Sequence, residues 1–120
     1  MEVKMYGTAD RTRSRYDNVV RIHLCELVKI LESIMGRYRF CITPGRLAKA
    51  ISNKLGVEVQ RSRASRILRD LALMGIVYLA THHDNKTCYY LDKDEARRIR
   101  EMCQSKHKPM TDFVVAETNV

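Results

Sequence analysis

Four arginines and two serines fall within nine consecutive residues: Arg61, Ser62, Arg63, Ser65, Arg66 and Arg69. A guanidinium presents a rigid fork of donors that fits two phosphate oxygens or the O6/N7 edge of guanine, and a short hydroxyl suits a backbone phosphate. On a helix turning about one hundred degrees per residue, the stretch 61–74 separates into two faces. Ala64, Ile67, Leu68, Leu71 and Met74 form an apolar stripe. Ser62, Ser65, Arg66 and Arg69 gather opposite it, with Arg61 and Arg63 near the start. One face can be buried while the other reads a polyanion. The competing arrangement is a solvated face on which Asp70 pairs with Arg66, one turn earlier. Leu73 falls on the polar side, so the DNA-facing part is expected to be Arg61 to Arg69.

Weaker candidates flank this stretch. Arg46 and Lys49 lie early in the preceding helical segment, whose N-terminal amides after Pro44 also favour an anion. Lys86 stands in the turn sequence His82-His83-Asp84-Asn85-Lys86, which reads either as a phosphate contact or as a plain exposed turn. Arg11, Arg13 and Arg15 alternate with Thr12 and Ser14. They read either as a frayed, solvated segment or as a basic arm along phosphates or in a minor groove.

Metal and catalytic readings find no residues to carry them. His23 and Cys25 diverge on a helix, His82 and His83 diverge on a strand, and no thiolate-rich cluster is present. The sequence holds no Gly-rich phosphate loop, no HExxH and no nucleophile in a recognisable setting. No cofactor, no metal and no enzymatic activity are expected.

The elements that must position the arginines are legible in part. Val20, Leu24, Leu27, Leu31 and Ile34 step at helical spacing, which predicts a long helix from about Asp17 to Met35 or Gly36. Val19, Ile22 and Ile30 lie off that seam, as a second strip that either packs within the chain or joins a homodimer. Tyr38 to Ile42 is β-leaning. Thr43-Pro44 starts a helix whose inner face is Leu47, Ala48, Ile51 and Leu55, and Gly56 ends it. Val57 or Val59 then plugs the core. Gly75 ends the arginine helix. Residues 76–81 and 87–91 read as a β-hairpin. Asp92 or Asp94 caps a last helix to about Ser105, and Phe113-Val114-Val115 either docks as an extended segment or stays loose.

The order helix, short strand, helix, turn, helix, hairpin, helix over residues 17–105 resembles the winged helix-turn-helix superfamily, in its MarR- and ArsR-like regulator variety. The residues carrying the resemblance are 43–51, Ser65-Arg66-Ile67-Leu68-Arg69-Asp70-Leu71 and Leu73-Met74-Gly75-Ile76-Val77. It implies a mainly α fold with a small antiparallel hairpin, a recognition helix in the major groove, and a wing at 76–91. It also implies a homodimer joined by the first helix (through Val19, Ile22 and Ile30) and the last. The division expected is a basic arm at 1–16, a winged DNA-binding domain at 17–106 and a tail at 107–120.

Charge agrees with a polyanionic partner, since 120 residues carry a formal net charge of +8. The partner expected is double-stranded DNA, and the function a sequence-specific transcription regulator. The alternatives are a winged-helix docking or nonspecific DNA-binding module of a larger assembly and, less favoured, an RNA binder stacking bases on Tyr89-Tyr90. No apolar run is long enough for a membrane span and no secretory layout opens the sequence, so a cytoplasmic protein is expected. There the four cysteines read as small buried hydrophobes, although their even number permits disulfides.

Overall fold

Residues 18–37, 41–81 and 87–117 are described by a computed structural model of the chain. The element order is β1 (Val19–His23), α1 (Leu24–Arg37), α2 (Pro44–Leu55), α3 (Arg61–Leu73), β2 (Val77–Thr81), β3 (Thr87–Leu91), α4 (Lys93–Cys103) and β4 (Asp112–Glu117). These make a mixed α+β fold of four helices and two antiparallel two-stranded sheets, β1–β4 and β2–β3.

The sheet β1–β4 departs from the expected mainly α fold with a single hairpin. Val19-Val20-Arg21-Ile22-His23 does not begin the first helix but pairs with β4, from Val19 opposite Glu117 to His23 opposite Asp112. The β-branched residues of β1 favour the extended form once a partner strand is available. That partner is the Phe113-Val114-Val115 segment, which therefore docks rather than staying loose. Phe113 and Val115 face the core.

The second apolar strip, which could pack within the chain or join a homodimer, is largely covered by the chain itself. Ile22 and Ile30 lie in the core of the single chain, and Val19 is half-buried. The strip expected to meet a second copy is thus covered within the chain.

His23 forms the joint between strand and helix. Its Nδ1 accepts the Cys25 amide at 3.0 Å, capping the start of α1, and its Nε2 lies 2.7 Å from the Pro109 carbonyl. An Nδ1 that accepts from a backbone amide leaves the proton on Nε2, which donates to Pro109. Leu24 adds an amide bond to the Thr111 carbonyl at 2.9 Å.

All four cysteines are in disulfides, the alternative to small buried hydrophobes that their even number left open. Cys25–Cys103 ties the start of α1 to the end of α4, and Cys41–Cys88 ties the entry to α2 onto β3. Their Cα atoms stand 6.0 and 5.4 Å apart, within the span a disulfide bridges. Such bridges persist in oxidising compartments and inside hyperthermophiles. Among the described residues no helix is long and apolar enough to cross a membrane.

The core is one cluster to which every element contributes. Leu27 and Leu31 of α1, Leu47 and Ile51 of α2, and Leu68 and Leu71 of α3 are fully buried in it. Ile42 joins β3 through a two-bond bridge with Tyr89 (2.7 and 2.9 Å). The rest of the expected short strand, Tyr38 to Phe40, lies outside the described residues.

Candidate nucleic-acid interface

The helix carrying the arginine cluster is held by the pair it forms with α2. Thr43 caps α2 by accepting the Arg46 amide at 3.2 Å, with Pro44 at the first position. Gly56 takes φ +71°, a left-handed conformation that only glycine adopts without strain, and its amide returns to the Ser52 carbonyl at 2.8 Å. The Ser52 hydroxyl accepts the Val59 amide at 3.0 Å, which fixes the turn between the helices. Val59 is buried there and Val57 half-buried, so Val59 is the main plug. At the far end Gly75 is left-handed, and the Ile76 amide reaches the Leu71 carbonyl at 2.9 Å.

Seated in this way, α3 buries Ala64, Ile67, Leu68 and Leu71. Met74 drops out of the expected stripe, because the helix ends at Leu73 and Met74 is its partly exposed cap residue. Arg61, Ser62, Arg66 and Arg69 are exposed, and Ser65 is half-buried at the flank. The competing Asp70–Arg66 pair does not form: among the described residues, Arg63 alone of the four α3 arginines meets a carboxylate. Its partner is Glu117 of β4, at 3.7 Å.

The arginines of α4 behave differently. Arg97 pairs with Asp94, Arg98 forks onto Glu95 at 2.7 and 2.8 Å, and Arg100 reaches Glu32 of α1. Hydrogen bonds from Arg98 hold the Glu95 carboxyl below its ordinary range, against the opposing effect of desolvation. The arginines of α4 are therefore each paired, whereas Arg66 and Arg69 on the outer face of α3 form no ion pair among the described residues.

Two further features mark the start of α3. Its N-cap residue, Gln60, makes no side-chain capping bond, unlike Thr43 on α2 and Asp92 on α4. The first amides of α3 thus lack a side-chain acceptor at the end where the helix dipole favours an anion. A polar cleft of about 630 Å³ opens beside it, lined in part by Gln60, Ser62, Arg63, Arg66 and Glu117.

The other expected contacts divide. Lys49 is exposed on α2. Arg46 turns inward, donating from Nη1 to the Cys41 carbonyl at 2.9 Å, so it braces the chain entering α2. The Arg61 guanidinium lies over α2, with Nε and Nη2 3.4 Å from where a Cβ on Gly45 would stand. Lys86 and the rest of the 82–86 turn lie outside the described residues, as do Arg11, Arg13 and Arg15. Tyr89 is buried against Ile42, which removes it as a stacking surface. Tyr90 instead meets Tyr78 across the hairpin, with ring centroids 5.7 Å apart.

Glu117 was not singled out by sequence reasoning. Its partner is 54 residues away, and only the alternation of Phe113 and Val115 with outward residues hinted at a strand that would bring it close. Among the described residues no group of three His, Cys, Asp or Glu is placed to hold a metal ion. No protein-family model, curated protein or solved structure matches the chain.

Proposed function

We propose that the chain is a sequence-specific double-stranded DNA-binding regulator of winged helix-turn-helix design. In this reading α3 enters the major groove and the β2–β3 hairpin lies beside it as the wing. The observation that carries the reading is the contrast between the two arginine-rich helices. Each arginine of α4 has a carboxylate partner, while Arg66 and Arg69 stand exposed on α3 with none among the described residues. A cationic face of this kind gains most by displacing counterions from phosphate. The uncapped start of α3 and the exposed Ser62 suit a phosphate at the same end. The succession α1, Ile42 bridge, α2, α3, hairpin supports the winged-helix arrangement.

The test is selection of bound sequences from a random duplex library, followed by titration of selected and random duplexes at several salt concentrations. A selected duplex should bind at least about a thousandfold more tightly than random DNA near physiological salt. Arg66→Ala/Arg69→Ala should lower the slope of log K against log salt by about 2, at about 0.9 for each phosphate no longer neutralised. Arg97→Ala/Arg98→Ala removes the same charge from α4 and should leave the slope nearly unchanged. Equal affinity for selected and random duplexes overturns the sequence-specific reading.

A second reading has one observation in its favour. Leu73 is 88% exposed, and Tyr78 and Leu79 are 54% and 59% exposed just beyond it. Uncharged side chains left open after the arginine helix suit a protein partner within a larger assembly. Stoichiometric retention of a protein after nuclease treatment, without selective duplex binding, would favour that reading.

A further inference from the structure

The β2–β3 hairpin has one covered edge and one open edge. On the β3 side, Tyr89 commits both of its backbone groups to Ile42, donating at 2.9 Å and accepting at 2.7 Å. In an antiparallel pair, the backbone groups of successive residues point alternately to one side of the strand and to the other. The residues of β3 that bond β2 are therefore Cys88 and Tyr90, whose partners are Ala80 and Tyr78. The bond from the Asp92 amide to the Ile76 carbonyl at 2.9 Å continues the same alternation two residues along. Val77, Leu79 and Thr81 are left with N–H and C=O groups aimed out of the hairpin. Among the described residues no strand pairs with that edge.

Open edges are usually blunted by a lysine, a proline or a bulge. Val77-Tyr78-Leu79-Ala80-Thr81 holds no charge and no proline, and its register with β3 is regular. The chain as a whole carries +8, so charged faces repel their own copies, whereas two β2 edges bring no like charges together.

The edge is also complementary to itself. Set antiparallel to a second β2 with Leu79 at the two-fold axis, Val77 falls opposite Thr81 and Tyr78 opposite Ala80. All the outward residues then exchange bonds with the second copy, about six in total. Leu79 is more than half exposed, although it shares the inward face of the hairpin with the buried Val77. In this register it meets Leu79 of the second copy, with Cα atoms about 5.5 Å apart. On the other face, the exposed Tyr78 ring, 5.7 Å from that of Tyr90, lies opposite Ala80 of the second copy, whose small side chain leaves it room.

We propose that the outer edge of β2 pairs antiparallel with β2 of a second copy, joining two hairpins into one sheet across a two-fold axis. The pairing rests on the hairpin alone and does not depend on what α3 binds. A contact between such short strands is small, so the dissociation constant should be on the order of 10–100 µM.

The test runs sedimentation equilibrium and backbone amide exchange on the full chain, disulfides intact, from about 10 µM to about 1 mM, a range that brackets that constant. The mass should rise from 14.0 kDa toward twice that value. The Leu79 and Thr81 amides should exchange about fivefold more slowly at the high concentration, and those of Tyr78 and Ala80, bonded within the hairpin, should not change. Leu79→Lys sets like charges face to face at the axis and should weaken association at least about tenfold. A dimer in which Leu79 exchange does not slow and Leu79→Lys associates normally lies on another face and overturns the inference. A chain that stays at 14.0 kDa throughout also overturns it, and slowing of Leu79 exchange by a different protein would then give the edge to a foreign strand. If circular dichroism shows that Leu79→Lys does not fold, the alternation of exchange along β2 in the unmodified chain decides alone.

Discussion

Removing the Cys25–Cys103 bridge should lower stability by an amount that can be worked from its place in the chain. The bridge closes a loop of 78 residues, and Cys41–Cys88 closes one of 47 inside it. With the inner bridge intact, the unfolded chain between Cys25 and Cys103 is shortened to a path of about 31 residues. Loop-closure entropy for such a path corresponds to about 4 kcal/mol at 25 °C. Unfolding entropy near 2.1 cal/mol/K per residue gives this chain about 250 cal/mol/K, so each kcal/mol moves Tm by about 4 °C. Cys25→Ala/Cys103→Ala should therefore melt about 15 °C below the unmodified protein. The assay is thermal circular dichroism without reductant, with mass spectrometry confirming that Cys41–Cys88 remains closed. Duplex affinity measured well below the melting range should not change, because the bridge joins α1 to α4 and does not involve α3. A Tm decrease under about 4 °C would refute the reasoning. It would mean that the unfolded chain already holds these ends together, or that the folded bridge carries an offsetting strain.

Three smaller perturbations test the local joints. His23→Ala removes both the cap of α1 and the bond to Pro109, and should cost about 2 kcal/mol in urea unfolding with an unchanged m-value. Ser52→Ala leaves the buried-turn Val59 amide without its acceptor and should cost about 1 to 2 kcal/mol, also read by urea unfolding. Glu95 should titrate below its ordinary value by NMR, and Arg98→Ala should return the midpoint toward that value. In sign, a depressed carboxyl contributes stability above the ordinary glutamate range, and this contribution is lost as pH falls through the lowered folded value.

Where structure was legible in the sequence, the signals were local. Thr43-Pro44, Gly56 and Gly75 punctuate α2 and α3 through caps and left-handed residues that act within a turn of chain. The apolar spacing of Ala64, Ile67, Leu68 and Leu71 likewise identified the buried face of α3 and, by subtraction, its cationic one. What escaped depended on partners far along the chain. Val20 continues the helical spacing of α1, and only pairing with β4, some ninety residues later, makes Val19 to His23 a strand. Four cysteines allow three connectivities, and spacing alone does not select among them. Arg63 read like its neighbours, and Arg46 like a surface cation. The first is engaged by Glu117 and the second by the Cys41 carbonyl, and neither partner is implied by the local pattern.

The pairing of Val19 with Glu117 also has a practical consequence for handling the protein. The first described strand begins and the last one ends at one corner, beside the first turn of α3. A dye attached at Val19 or Glu117 therefore sits beside the candidate interface, and moving it from one of these positions to the other does not relieve the crowding. Attachment on the exposed side of α4, at Glu101 for example, places the label on a separate helix, which Cys25–Cys103 ties to the start of α1, at the other end of β1 from that corner.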